Sequence, residues 1–313
     1  MSFAIEIHDL TRTFNGFMAV DHLNLKIPEG QIFGFLGPNG AGKTTTVRLL
    51  TGLLSPTSGK ATIAGFDIKK DAMKIRNRVG VLTEYPCVYE RLTLRQNLRY
   101  FAEMYDVPKI EIKDRIEELT GLLGLADRID NPVGTFSKGM KQKSGIARAM
   151  IHEPEILFLD EPTGPLDPVS AKNIRDAIAK LAASESRTVF LCTHRLVEAQ
   201  SLCDHIGIIS SGKLVVTGST ETIISDPSGL TQVDFHLAIL DDKIIKAVQE
   251  APGVKKVDIN REQNVLSMFC EDSRNITPNV VETIVSLSGK ILEIKRVQKT
   301  LEDVYLEIMK EQS

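Results

Sequence analysis

Apolar positions along this chain follow two spacings. Short runs at 31–36, 79–82, 156–159 and 188–192 are almost wholly apolar and bounded by glycine, proline or charged residues. Runs of that length and content predict strands buried on both faces. Between them the apolar positions recur at helical spacing, over 45–50, 67–78, 95–105 and 111–121, with Gly124 closing the turn after the last. The opening stretch, 3–27, alternates strand-like segments with turns such as Asn15-Gly16. Buried strands alternating with helices predict an α/β fold, a mostly parallel sheet covered on both faces. The helical stretch from about 86 to 136 is expected as an insertion beside that sheet core.

Gly212 and Gly218 bracket the apolar Lys213-Leu214-Val215-Val216, and Asp226-Pro227-Ser228-Gly229 reads as a linker. Beyond it the periodicity restarts. A strand over 233–240, a helix over 241–249, a strand pair at 256–260 and 265–270, a helix over 278–287, a strand over 291–297 and a helix over 301–311 are expected. That β-α-β-β-α-β order is the split βαβ of a ferredoxin-like module; a smaller irregular appendage is the competing reading. A chain of 313 residues suits two domains, 1–221 and 222–313.

Composition narrows the class. A chain 42% hydrophobic and 25% charged is expected to be a soluble globular protein. The net charge of −3 gives no reason to expect nucleic acid or an anionic lipid surface as partner. No apolar run approaches the roughly 18–20 residues that cross a bilayer, and Met1-Ser2-Phe3-Ala4-Ile5-Glu6 lacks a signal-peptide layout. Cys87, Cys192, Cys203 and Cys270 have no metal-ligand spacing and read as reduced, mostly structural thiols of a cytoplasmic protein.

The strongest chemical signal is Gly37-Pro38-Asn39-Gly40-Ala41-Gly42-Lys43-Thr44, which fits G-x-x-x-x-G-K-[ST] between a predicted strand and a predicted helix beginning near Thr45. Glycines in such a bend let backbone N–H groups turn onto an anion, and the helix N-terminus adds roughly half a positive charge. Lys43 is expected to reach the β- and γ-phosphates of a nucleoside triphosphate. The strand 156–159 ends in Asp160-Glu161. Successive strand side chains point opposite ways, so the two acids cannot share one role. Beside a phosphate loop, Asp160 is expected to organise Mg²⁺ together with Thr44, and Glu161 to take a proton from the attacking water. The strand 188–192 likewise ends in Thr193-His194, at the edge where ligands of open α/β sheets collect. In Phe136-Ser137-Lys138-Gly139-Met140-Lys141, Ser137 can cap the following helix and leave its N-terminus and lysines to a second phosphate site; a plain cap with solvated lysines is the alternative.

Taken in order, these motifs over about residues 3–220 resemble the ATP-binding subunit of ABC transporters. The resemblance implies a P-loop ATPase core with a mostly parallel sheet, an antiparallel β subdomain and the helical insertion. It implies ATP and Mg²⁺ as cofactors. It casts Glu161 as catalytic glutamate, His194 as switch histidine, Gly164-Pro165-Leu166-Asp167 as the D-loop, and Phe14 as the aromatic ring on adenine, with Phe17 its competitor. Two such subunits, identical or homologous, pack head to tail, so that Ser137, Lys138 and Gly139 face the nucleotide of the partner. An integral membrane permease binds near 85–93, where Tyr85, Val88 and Tyr89 give apolar surface, and holds the subunit to the inner face of the cell membrane.

Two departures stand out. Phe136-Ser137-Lys138-Gly139-Met140 replaces the common Leu-Ser-Gly-Gly-Gln, a variant resembling the branch that serves separate exporter-type permeases. Glu84 stands where the family most often has glutamine; a carboxylate there can still ligate Mg²⁺. A soluble ATP-driven switch and a subunit that binds without hydrolysing are the rival functions. One P-loop per chain argues against the first, and Glu161 with His194 against the second.

Overall fold

The computed structural model describes residues 2–164, 166–184, 187–225, 229–297 and 299–311. They divide into two compact units, Met1–Thr220 and Glu221–Ser313. Pro165 of the expected D-loop and Asp226, Pro227 and Ser228 of the expected linker lie outside the described residues.

In the first unit the chain runs through β1 (Phe3–Phe14), β2 (Phe17–Pro28), β3 (Ile32–Leu36), α1 (Lys43–Leu50), β4 (Ser58–Ile63), β5 (Phe66–Asp67), α2 (Ala72–Arg78) and β6 (Val79–Leu82). It continues with α3 (Leu94–Met104), α4 (Ile112–Leu122), α5 (Lys138–Met150), β7 (Ile156–Asp160), α6 (Pro168–Ser184), β8 (Thr188–Thr193), α7 (Leu196–Leu202), β9 (His205–Ser210) and β10 (Lys213–Ser219). β3, β6, β7, β8 and β9 form a parallel sheet in the order β9-β3-β8-β7-β6, with β10 antiparallel on the β9 edge. β2-β1-β4-β5 is a separate antiparallel sheet.

The all-apolar strands are buried as their composition demands: every residue of β3, β7 and β8 is buried. At their centre Phe190 lies 5.3–5.6 Å from the rings of Phe33, Phe35 and Phe158. Each such buried ring stabilises the sheet by about 2 kcal/mol. One core joins this sheet to α1 and to the antiparallel sheet through Ile5, Ile7, Val20 and Ile27. The result fixes the carboxyl ends of β3, β7 and β8 side by side, where the chemistry-bearing residues follow.

The helix expected from Asp67 starts later, at Ala72. Asp67 Oδ1 accepts the backbone N–H groups of Lys69 and Lys70 at 2.9 and 3.1 Å, a local turn that competes with helix. Helix α3 starts at a capping box, Thr93 with Gln96. Cys87 is exposed while the other three cysteines are buried, so the reading of structural thiols holds for those three.

A short helix, α8 (Thr220–Ile224), leads into the second unit: β11 (Thr231–Leu237), α9 (Asp242–Gln249), β12 (Val254–Asn260), β13 (Val265–Cys270), α10 (Ser273–Ser286), β14 (Ile291–Val297) and α11 (Leu301–Glu311). Its antiparallel sheet has the order β12-β13-β11-β14, the arrangement of a split βαβ repeat. Val233, Phe235 and Leu237 alternate onto one face and pack with Ile244 and Val248 of α9 and with Val280 and Ile284 of α10. Strand β11 lies earlier than the expected 233–240. Helix α10 begins five residues before the expected Pro278, because Asp272 caps it by accepting Asn275 N–H at 3.3 Å. Pro278 sits inside the helix on the exposed side, where the Arg274 carbonyl it leaves unbonded can meet water.

Candidate active site

Two glycines of the loop between β3 and α1, Gly37 and Gly42, stand where a side chain has no room. A Cβ on Gly37 would lie 2.3 Å from the Ile209 carbonyl oxygen, and one on Gly42 2.3 Å from that of Ala19. Gly42 also holds φ +110° as the residue before α1. Pro38 to Ala41 closes a tight turn, with Ala41 N–H donating to the Pro38 carbonyl at 3.2 Å. Lys43 is buried to 7% exposure and its Nζ donates to the Gly37 and Pro38 carbonyls at 2.7 and 3.1 Å. The cation therefore lies along the loop itself.

Thr44 Oγ1 donates to Asp160 Oδ2 at 2.8 Å, joining the start of α1 to the end of β7. Burial pushes the Asp160 carboxyl above its ordinary pKa, opposed by the Thr44 hydrogen bond, with Glu161 and Glu84 adding to the rise and Lys43 opposing it. The pair is a set of hard oxygen donors, and Glu84 borders the same cleft. Those donors fit Mg²⁺, which takes one or two carboxylates plus phosphate oxygens.

Glu161 turns away from its neighbour through a left-handed backbone, φ +49°, a conformation that costs a non-glycine residue about 1 kcal/mol. Its N–H donates to the Cys192 carbonyl at 2.9 Å, which ties the turn to β8. Its Oε1 accepts His194 N–H at 3.1 Å and lies 2.8 Å from His194 Nδ1. Its Oε2 lies 3.3 Å from Thr193 Oγ1. The two strand ends thus converge on one carboxylate.

These groups border a cleft of about 920 Å³. Asn39, Gly40, Gly42 and Lys43 to Thr45 line it at the loop, and Asp160, Glu161 and His194 beyond. Phe14 and Phe17 both border it, the first 37% and the second 64% exposed. The Arg12 guanidinium stands 4.4 Å over the Phe14 ring. Lys138, Lys141 and Gln142 border the cleft as well, whereas Ser137, Gly139 and Asp167 do not. Ser137 caps α5, accepting Met140 N–H at 3.2 Å, and Gly139 packs so closely on α6 that a Cβ would lie 3.1 Å from Ser170 Oγ. Asp167 accepts the N–H groups of Val169 and Ser170 at the start of α6.

Lys141, one of the lysines expected at a second phosphate site, and Leu166 of the expected D-loop reach the cleft; sequence reasoning missed Gln142 there and the buried Thr163–Glu198–Thr193 cluster behind Glu161. The signal for the cluster was a carboxylate four residues after His194, on what reads as the polar side of a short helix.

The family model for ABC transporter matches residues 20–164. The bacitracin transport ATP-binding protein BcrA of Bacillus licheniformis is 46% identical over 215 residues, 69% of each chain. The chain belongs to the ABC transporter ATP-binding family. YhcH of Bacillus subtilis, named as an uncharacterized ABC transporter ATP-binding protein, is 34% identical over 98% of this chain and 96% of its own, so the second unit also has its counterpart there. Among solved structures, CbiO1 of Clostridium perfringens, part of the ABC transporter complex CbiONQ, superposes with TM-score 0.68 at 25% identity, over 72% of this chain and 92% of that one. As an ABC transporter ATP-binding subunit the chain binds and hydrolyses ATP to power a membrane permease. Among its described residues no helix is long and apolar enough to cross a membrane.

Proposed function

We propose that this subunit works as one of two copies packed head to tail, each ATP lying between one phosphate loop and the signature helix α5 of the other copy. The observation that carries the reading is the convergence of Glu161 and His194 just beyond the Thr44–Asp160 pair. The loop amides from Gly37 to Gly42, with Lys43 and Thr45, hold the triphosphate; Phe14, backed by Arg12, stacks on adenine. Thr44 and Asp160, with Glu84 beside them, would hold Mg²⁺, which offsets phosphate charge. Glu161 accepts the proton of the attacking water, and His194 holds that carboxylate in place. Ser137 and Gly139, turned away from the cleft of their own chain, serve the partner's γ-phosphate, as does Lys138. Asp167 orders the start of α6 at the seam between copies.

The permease docks over Tyr85 and Tyr89, 74% and 50% exposed, where Tyr89 is braced by Tyr100 and Phe101. Export is supported by the resemblance of the signature segment to the exporter-type branch. The second unit, Glu221–Ser313, is an accessory module that stabilises the dimer, senses a ligand or limits opening; removing 222–313 and measuring dimerisation separates the first role from the others. Purification in mild detergent from native membranes tests the whole reading. A stoichiometric polytopic membrane protein is the expected companion. Recovery of soluble partners only would move the function to an ATP-driven switch.

A further inference from the structure

The sheet of the second unit runs β12-β13-β11-β14, so among the described residues β14 pairs on one side only. Its other side presents a row of backbone N–H and C=O groups. Every residue of β14 from Leu292 to Arg296 is exposed, and Leu292 and Ile294 are large and apolar. The pairing with β11 sets the faces. Ile294 stands opposite Phe235 and Arg296 opposite Val233, on the face that packs on α9 and α10. Glu293 stands opposite His236 and Lys295 opposite Asp234, on the other face.

An open edge of this kind takes up another strand. A second copy of β14 fits it by charge. Two copies related by a twofold axis normal to the sheet run antiparallel and keep their faces, so residues that meet share a face. The register that uses the whole strand, Ile291 to Val297, centres on Ile294. There the two isoleucines meet, and Glu293 of each copy meets Lys295 of the other. A slip centred on Glu293 sets carboxylate against carboxylate, and one centred on Lys295 sets ammonium against ammonium. Opposite charges across strands stabilise a pair and like charges destabilise it, so the strand selects the first register. The other edge, β12, has no such demand, because Lys256 pairs with Asp258 of its own strand at 2.7 Å. Among the described residues Glu293 and Lys295 have no ion pair.

We infer that two copies of this chain pair through β14, antiparallel about Ile294, and join their four-stranded sheets into one of eight. Charge of one sign would guard the edge against its own copies; β14 carries both signs. This seam is the surface by which the second unit stabilises the dimer, and it rests on the proposed action of two copies. The pairing itself uses neither ATP nor Glu161.

The test is sedimentation equilibrium of the nucleotide-free full chain as wild type, Glu293→Lys, Lys295→Glu, and an equal mixture of the two variants. Glu293→Lys sets lysine against lysine across the seam, and Lys295→Glu sets glutamate against glutamate. In the mixture both contacts are again of opposite charge. Wild type should dimerise, each variant alone should dimerise about tenfold or more weakly, and the mixture should form heterodimers within about threefold of wild type. Cys87→Ser removes the exposed native thiol. In that background Ile294→Cys should give a disulfide-linked dimer on mild oxidation, which decides the matter if a charge variant fails to fold. Leu292→Cys, about 14 Å from its copy in this register, should not link. A monomeric wild type, variants that dimerise like wild type, a mixture no tighter than its components, or an unlinked Ile294→Cys overturns the inference and leaves the edge to a different chain. Loss of the ATP-bound dimer in Glu161→Gln, with nucleotide-free pairing intact, overturns the head-to-tail reading instead.

Discussion

Glu161 Oε1 lies 2.8 Å from Nδ1 of His194 and accepts the backbone N–H of the same residue at 3.1 Å. As a carboxylate the glutamate accepts both, which sets the histidine tautomer with its proton on Nδ1 and leaves Nε2 free to face a phosphate. The carboxylate proposed as the base is therefore oriented by the loop after β8. His194→Ala should lower kcat by about 10- to 100-fold. The side chain is half exposed, so the thermal midpoint should hardly move. Parallel losses of stability and rate would make the histidine a structural residue.

The phosphate loop depends on the absence of a side chain at Gly42. Gly42→Ala sets a methyl 2.3 Å from the Ala19 carbonyl at φ +110°. Strain of this kind costs about 1–3 kcal/mol, and relieving it means moving the loop. ATP binding should weaken about tenfold or more, as read by titration with a fluorescent ATP analogue. Affinity within twofold of wild type would show that the loop gives way without cost.

Glu84 is exposed at the cleft edge and makes its effect felt on Asp160 through charge. Glu84→Gln restores the residue more common in the family and keeps an oxygen toward the cation site. Hydrolysis should stay within about tenfold of wild type. Complete loss would mean that the negative charge itself is required.

His152 makes one part of the fold sensitive to acid. Burial lowers its pKa from 6.5 to about 4, against the favourable hydrogen bond to the Val79 carbonyl and with Arg148, Arg115 and Arg187 adding to the fall. The folded pKa lies below the unfolded one, so the unfolded chain binds the proton more readily between those values. The stability is present above pH 6.5 and is lost as pH falls toward 4. About 2 kcal/mol should have gone by pH 5. Urea midpoints at pH 7 and 5, followed by circular dichroism, should fall further for wild type than for His152→Gln. Equal falls would place the acid sensitivity elsewhere.

The buried strands and the phosphate loop were legible because each carries its own signal: an apolar run such as 156–159 has only one burial pattern, and Lys43-Thr44 after the six residues Gly37 to Gly42 of glycine-rich loop has few other uses. Boundaries were less so where a side chain competes with the backbone, as Asp67 does ahead of α2 and Asp272 ahead of α10. Ser137 was readable as a cap, and it is one. What no local pattern shows is who meets whom in space. That Lys141 reaches the cleft while Asp167 caps α6, and that Glu198 stands behind Glu161, depends on α5, α6 and α7 being folded around one sheet edge.

We propose Glu161 as the base of an ATP-closed dimer. It is tested most directly by measuring MgATP hydrolysis and solution mass for wild type and Glu161→Gln side by side. Wild type should turn over, and the variant should hydrolyse about 100-fold or more slowly and form a stable ATP-bound dimer. A variant that hydrolyses at the wild-type rate, or stays monomeric at saturating ATP, would contradict it.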